Sequence, residues 1–211
     1  MKQYLCIDLK TFYASVECVE RGLDPFKVNL VVADKSRGKG ALCLAISPRM
    51  KRAGVKNRCR LFEIPKYMQY MIAKPRMKLY MEYSANIYGI YLKYFSKDDI
   101  YVYSIDEAFF DITPYLNYYK KSAPEIAKMI LDDVYKTTGI TATCGIGTNL
   151  YLAKIAMDII AKHNDSNIGY LNEELYIEKF WNHKPITDFW QIGNGIARRL
   201  LKYGVDDMEG L

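Results

Sequence analysis

Asp106 and Glu107 stand side by side in Tyr103-Ser104-Ile105-Asp106-Glu107-Ala108, where one apolar run breaks and another begins. Ile100 to Tyr103 and Ala108 to Ile112 read as strands, which predicts that the acidic pair sits at a hairpin turn. Asp8 closes a third apolar run, Tyr4-Leu5-Cys6-Ile7, far earlier in the chain. Two strands lying side by side in one sheet could bring the three acids together. Carboxylates so placed repel one another unless cations lie among them, and hard oxygen donors favour Mg²⁺ or Mn²⁺. A solvated hairpin tip with an unrelated strand-end aspartate is the plainer alternative. These residues by themselves leave both open.

Charge is unevenly spread. From Lys35 to Arg60 there are nine basic residues (Lys35, Arg37, Lys39, Arg49, Lys51, Arg52, Lys56, Arg58 and Arg60) and no acid. The whole chain carries +6, so everything outside that segment is net acidic. A stretch this one-sided attracts a polyanion and repels itself without one. A solvated basic loop is the alternative; beside a candidate cation site, phosphate binding is the better reading.

At 211 residues the chain can form one substantial core with smaller attachments, and a 50% hydrophobic content excludes disorder. No apolar run approaches a membrane span, and the N-terminus enters a strand without a basic-then-apolar leader. Cys6, Cys18, Cys43, Cys59 and Cys144 are odd in number and scattered, with no Cys-x-x-Cys pair. Free thiols of this kind suit a reducing compartment, so a cytoplasmic location is expected.

Apolar periodicity places the elements that must carry the acids. A strand over about 3–8 leads into a helix over 10–21, with Phe12, Val16 and Val19 on one face. Val28 to Ala33 and Leu42 to Ile46 read as short strands around a Gly38-Lys39-Gly40 turn. A short helix from Arg49 to Ala53 ends at Gly54. Glu63 to Ile72 is a further helix candidate, Met77 to Tyr80 a strand, and Glu82 to Phe95 a helix. Ile126, Met129, Ile130 and Val134 mark a helix packed on a sheet. Thr141 to Ile146 reads as a strand, and Leu152 to Ile160 as a helix capped by Thr148 or Asn149. This order predicts an α+β fold whose sheet is dominated by antiparallel pairs and backed by helices.

The wording around the acids carries more. Asp8-Leu9-Lys10-Thr11-Phe12-Tyr13-Ala14-Ser15-Val16-Glu17 and Ser104-Ile105-Asp106-Glu107-Ala108 together resemble the Y-family DNA polymerases, enzymes that copy across damaged templates. The resemblance continues through Ala45 to Val55, Gly145 to Lys154, Ala161-Lys162 and Gln191-Ile192-Gly193-Asn194-Gly195. Ser47-Pro48-Arg49-Met50-Lys51 is most similar to the UmuC/ImpB/MucB/SamB branch, whose members act in the SOS response to DNA damage. The resemblance implies a palm (residues 1–21 and 77–166), a fingers insertion (22–76) and a partial helical thumb (167–211). The little-finger domain that follows in the family is expected to be absent from these 211 residues.

The same resemblance implies error-prone, template-directed transfer of a dNTP to a primer 3′-hydroxyl with two Mg²⁺ ions, Mn²⁺ being an alternative. Asp8, Asp106 and Glu107 would be catalytic metal ligands, helped by the Leu9 carbonyl. The amides of Lys10, Thr11, Phe12 and Tyr13 would receive the triphosphate in a helix's first turn, where they lack intrahelical partners. Tyr13 occupies the steric-gate position that excludes a ribose 2′-hydroxyl. Lys51 and Lys162 would neutralise phosphate. Many family members have Tyr-x-x-Arg where Pro48-Arg49-Met50-Lys51 stands, and Arg49 or Arg52 could compensate for the lost guanidinium. Ile192, Gly193 and Gly195 resemble a helix-hairpin-helix turn that contacts DNA phosphates. Primer–template DNA, dNTP and a sliding clamp, the last through the missing C-terminal region, are the implied partners.

Two other classes compete. A nucleotide cyclase is built on a related palm, but it carries a Gly-Gly-Asp/Glu-type hairpin and has no place for the basic insertion. An idle DNA-binding or regulatory subunit is the alternative outside enzymes, disfavoured by three intact acidic positions.

Overall fold

The computed structural model describes residues 2–211. A five-stranded sheet has the order β5-β6-β1-β7-β8, built from β1 (Tyr4–Leu9), β5 (Ile100–Val102), β6 (Glu107–Asp111), β7 (Ala142–Gly147) and β8 (Ile168–Leu171). β1 and β5 each pair antiparallel with β6, whereas β7 and β8 run parallel. A second sheet has the order β3-β2-β4, from β2 (Leu30–Val32), β3 (Ala45–Ile46) and β4 (Met71–Ala73). The expected α+β class with mostly antiparallel pairing is the class observed.

The chain divides into two compact units. The first gathers the residues up to Asp8, Tyr94–Leu131 and Thr143–Leu211; the second gathers Leu9–Lys93 and Asp132–Ala142. In the first unit, Cys6 and Phe109 from the sheet meet Ala153 and Met157 in a small buried cluster. A second cluster there joins Leu152, Ile155 and Ala156 to Leu171, Tyr176, Ile186 and Phe189. In the second unit, α1 (Phe12–Val19) packs on β2, β3 and α3 (Met77–Tyr91). Six of its eight residues are buried, which an amphipathic surface helix would not do. Val31, Cys43, Ile46, Met50 and Leu61 form part of that unit's own core.

Two expected elements are replaced. Glu63 to Ile72 is no helix: a 3₁₀ turn at Leu61–Glu63 is followed by a turn in which the Met68 amide donates to the Pro65 carbonyl at 2.9 Å, and then by β4. Pro65 explains this, because its ring drives Ile64 out of the helical region, to φ −68 and ψ 132. Met77 to Tyr80 is not a strand but the first turn of α3, whose helical bonds begin with the Tyr80 amide donating to the Arg76 carbonyl. The other changes are of extent. The helix expected over 10–21 is α1, and the remaining helices are α2 (Pro48–Arg52), α4 (Thr113–Tyr119), α5 (Ala123–Thr138), α6 (Leu150–Ile155), α7 (Glu173–Phe180) and α8 (Asn194–Leu201). β8 extends the first sheet beyond residue 166. Among the described residues no helix is long and apolar enough to cross a membrane, and all five cysteines are free and buried.

Candidate active site: carboxylates and lysines on the central strands

β1 and β6 lie in a register that sets Asp8 directly opposite Glu107. Opposed residues on neighbouring strands present their side chains to the same face. The turn before β6 is closed by the Tyr103 and Ser104 amides, each donating to the Glu107 carbonyl at 3.0 Å. Ser104 Oγ donates to Asp106 Oδ1 at 2.7 Å, so the serine holds its neighbour's carboxylate in the turn. Asp106 therefore sits in the hairpin turn as expected, while Glu107 is already the first residue of β6 and is buried.

Two lysines from the following helix reach these acids. Asn149 caps α6 by accepting from the Leu152 amide at 2.8 Å. α6 passes into one π-helical stretch over Ala156–Ile160 and a 3₁₀ turn at Ala161–His163. This helix lies unusually close to β7. A Cβ at Gly145 would stand 2.0 Å from the Ala153 carbonyl oxygen, and one at Gly147 would stand 2.2 Å from the Ala153 amide nitrogen. Only glycine permits that approach, and it carries Lys154 to the carboxylates. Lys154 Nζ lies 2.8 Å and 2.9 Å from the two oxygens of Glu107 and 3.0 Å from Asp158 Oδ2. Lys162 Nζ lies 2.7 Å from Asp158 Oδ1 and 3.4 Å from Asp8 Oδ2. Cys6 Sγ donates to Glu107 Oε1 at 3.3 Å.

Asp158 thus bridges two lysines, each of which holds one catalytic candidate. Lys154, Asp158 and Cys6 had no assigned role in the sequence reading. Lys154, Asp158 and Lys162 do recur every four residues, the spacing that lines charges along one helix face. Cys6 carried no such signal.

Burial pushes the Asp8 carboxyl up to about 6. The nearby charge of Lys162 opposes this, but like charges on Asp106 and Glu107 reinforce it. Lys162 is too distant at 3.4 Å to cancel the burial. Burial would lower Lys154, yet Asp158 and Glu107 outweigh it and hold the ammonium above the usual lysine range. Lys162 is raised in the same sense, by Asp8 and Asp158 against burial.

Hard divalent cations fit this donor set in chemistry: three carboxylates, Asp8 with its proton affinity raised by burial, and no soft ligand but a buried, protonated thiol. Among the described residues, no three acidic, histidine or cysteine side chains form a ready cation shell. Ammonium groups hold Glu107 and Asp8, so those carboxylates must turn from lysine to receive a metal.

Most of the other site candidates belong to the second unit. Leu9 follows Asp8 and closes β1. The Lys10 amide donates to the Thr141 carbonyl at 2.8 Å, which corrects the expectation that it lies in the open first turn of a helix. α1 begins only at Phe12, because Thr11 adopts a left-handed conformation with φ 46. Tyr13 stacks on Tyr80, with ring centroids 4.4 Å apart and 14° between planes. Tyr80 in turn donates to the fully buried Glu17, which also accepts from Arg76 at 2.9 Å and 2.8 Å and pairs with Arg21. Burial would raise Glu17, but these donors hold its carboxyl below the usual range. The aromatic support of Tyr13 is therefore anchored by a buried ion pair that apolar periodicity does not reveal.

Lys51 is exposed on α2. Arg49 donates to the Lys27 carbonyl, and the Arg52 guanidinium lies over the Phe26 ring at 4.9 Å, so both arginines are held by their own unit. In the first unit, Gly193 caps α8 with Ile192 before it and Gly195 in its first turn. The element immediately before it is the 3₁₀ turn Ile186–Asp188, so no full helix leads directly into these glycines as a helix-hairpin-helix requires. A Cβ at Gly193 or Gly195 would meet nothing within 4 Å, so these glycines leave the backbone open to approach.

Residues 7–158 match the model of the impB/mucB/samB family. The chain is 35% identical over 205 residues to UvrX, a candidate UV-damage repair protein of Bacillus subtilis (strain 168), covering 97% of this chain and 48% of that protein. It is 34% identical to DNA polymerase IV 2 of the same organism, covering all of this chain and 50% of that protein. The chain thus spans about half the length of these relatives. Its fold matches a solved Y-family DNA polymerase chimera with a TM-score of 0.79 at 26% identity, over 97% of this chain and 58% of that one. With the family's sequence pattern matched across most of its length and the fold matched with it, the chain belongs to the impB/mucB/samB family of Y-family DNA polymerases.

Proposed function

We propose that this chain carries the nucleotidyl-transfer centre of an error-prone, translesion DNA polymerase, adding a dNTP to a primer 3′-hydroxyl on a DNA template. The observation that carries this reading is the register that sets Asp8 against Glu107, with Asp106 in the adjoining turn. Asp8, Asp106 and Glu107, with the Leu9 carbonyl, would hold two Mg²⁺ ions. Bound there, such ions supply the charge that activates the primer hydroxyl and balances the departing pyrophosphate.

The chain's own groups do the rest. Lys162 and Lys154 neutralise the carboxylates until substrate arrives, and Lys162 then turns to the triphosphate, where Lys51 adds a second positive charge. Asp158 holds both lysines through that exchange. The amides of Thr11, Phe12 and Tyr13 at the start of α1 receive phosphate oxygens. The Tyr13 ring, fixed by Tyr80, blocks a 2′-hydroxyl. Backbone N–H groups at Gly193 and Gly195 contact DNA phosphates without reading bases. Most of the grip on duplex DNA falls to regions that the relatives possess beyond this span, so residues 1–211 alone extend primers poorly.

Single-nucleotide primer extension with Mg²⁺, by this chain alone and within a protein of its relatives' length, tests the proposal. Asp106→Ala is expected to abolish incorporation while the circular dichroism spectrum stays unchanged. Near-normal extension by that variant removes the catalytic assignment.

A further inference from the structure

A groove of about 560 Å³ in the second unit holds none of the residues placed in the candidate active site, although its Lys35 and Lys39 belong to the basic stretch Lys35 to Arg60. One wall is the 3₁₀ segment Lys35–Gly40 and the other is the turn Leu61–Glu63 with the chain running on to Ile72. The walls are fixed to each other. The Cys43 amide donates to the Cys59 carbonyl at 2.8 Å, the Leu61 amide donates to the Ala41 carbonyl at 3.0 Å, and Arg60 donates to the Gly40 carbonyl at 2.7 Å. The groove is therefore built into the fold and is not an opening between loose loops.

Its lining combines two chemistries. Lys35, Lys39 and Lys66 are exposed around it, and none has a carboxylate partner among the described residues. The acids nearby are engaged: Asp34 accepts from Ser36 at 2.7 Å, and Glu63 accepts from the Arg60 amide at 2.5 Å. Phe62, which lines the groove, is 62% exposed, and Tyr67, beside Lys66, is 85% exposed. Large aromatic faces left in water next to unpaired ammonium groups match a ligand offering both flat rings and regularly spaced negative charge.

We propose that this groove binds single-stranded DNA, with a base stacked on Phe62, a neighbouring base near Tyr67, and phosphates on Lys35, Lys39 and Lys66. Base–aromatic stacking tolerates any sequence, and basic residues track the backbone. An acidic peptide would satisfy the lysines but leave the two rings unused. A duplex would satisfy the lysines but keep its bases stacked on each other. The inference rests on the polymerase reading only for the choice of DNA as the polyanion.

Fluorescence anisotropy with 5′-labelled dT12, without metal, primer or nucleotide, tests it independently of catalysis; a failure here leaves the proposed activity standing. Phe62→Ala should weaken dT12 binding on the order of tenfold, while Phe62→Trp retains it. Replacing Lys35, Lys39 and Lys66 by Ala should flatten the dependence of log K on log salt by about 2. Phe62→Ala should leave affinity for a 12-base-pair duplex unchanged, because a paired base does not stack on the ring. Iodouracil-substituted dT12 should photo-crosslink within the peptide that contains Phe62 and Tyr67. Unchanged dT12 affinity in Phe62→Ala, or crosslinks confined elsewhere, overturns the proposal. Displacement of dT12 by an equal concentration of a twelve-residue poly-glutamate peptide overturns it in favour of an acidic protein partner.

Discussion

Replacing Lys154 by Met removes the cation that holds Glu107 while keeping most of the side chain's volume. In the structure Lys154 touches both oxygens of Glu107 and one of Asp158, and the side chains of Lys154 and Glu107 are each only 8% exposed. Without the ammonium, Glu107 keeps one weak donor, the Cys6 thiol, while Asp158 keeps Lys162. Breaking a buried ion pair by deleting one partner costs about 3–5 kcal/mol, because the surviving charge loses its solvation and its partner together. The low end applies here, since Asp158 is 24% exposed and retains a second lysine. A loss of about 3 kcal/mol lowers the melting temperature of a chain this size by roughly 6–12 °C.

Urea denaturation followed by far-UV circular dichroism reads the loss directly. The doubly substituted Lys154→Met, Glu107→Gln protein leaves no orphaned charge and should recover most of the stability. Mg²⁺ supplies a separate check, because under the proposed function it would bind the carboxylates that Lys154 otherwise occupies. At ten times its dissociation constant it adds about 1.4 kcal/mol to whichever form binds it, and Lys154→Met should gain more than the unsubstituted protein. A loss below about 1 kcal/mol, or a double variant no better than the single one, refutes the idea that lysine holds the candidate metal ligands.

The remaining expectations are more direct. Shortening Tyr13 to Ala should admit ribonucleotides while dNTP incorporation persists; separate rNTP and dNTP extension assays decide it, and unchanged sugar discrimination returns Tyr13 to a packing role against Tyr80. Asp8, raised to about 6, binds its proton more tightly folded than unfolded, so its contribution to metal-free stability is fully present below about pH 4 and is lost as pH rises through about 6. Cations need the ionised form, so Mn²⁺ affinity measured by electron paramagnetic resonance should weaken as pH falls below about 6, by up to about tenfold per pH unit, and Asp8→Asn should abolish that dependence. Gly147→Ala should cost well over 1 kcal/mol, visible as a lowered denaturation midpoint, because its Cβ meets helix backbone that cannot turn aside. A midpoint within experimental scatter of the unsubstituted protein removes the argument that β7 and α6 must touch.

What the sequence disclosed followed how local the responsible physics is. The hairpin around Asp106 was legible because apolar runs, a break and a serine cap all lie within a few residues of one another. The helix expected over Glu63 to Ile72 does not form because Pro65 acts on Ile64 whatever the apolar periodicity says. Met77 to Tyr80 opens a helix although a strand is expected there, since Met77, Leu79 and Tyr80 around Lys78 are too short a run to distinguish a strand from the opening turn of a longer helix. The site shows the same division. Asp8, Asp106 and Glu107 could be named from motif and residue type, but the pairing of Glu107 with Lys154 depends on how closely α6 approaches β7. That approach is written in Gly145 and Gly147, which look like ordinary strand glycines until a Cβ is placed on each. Likewise the buried Glu17 behind Tyr13 interrupts an apolar helix face, where simple patterning expects a hydrophobe and not the centre of an ion-pair network. A charge at an apolar position and a glycine opposite a helix are both readable signals, provided they are taken as requirements for a partner: a donor in the first case, a backbone in the second.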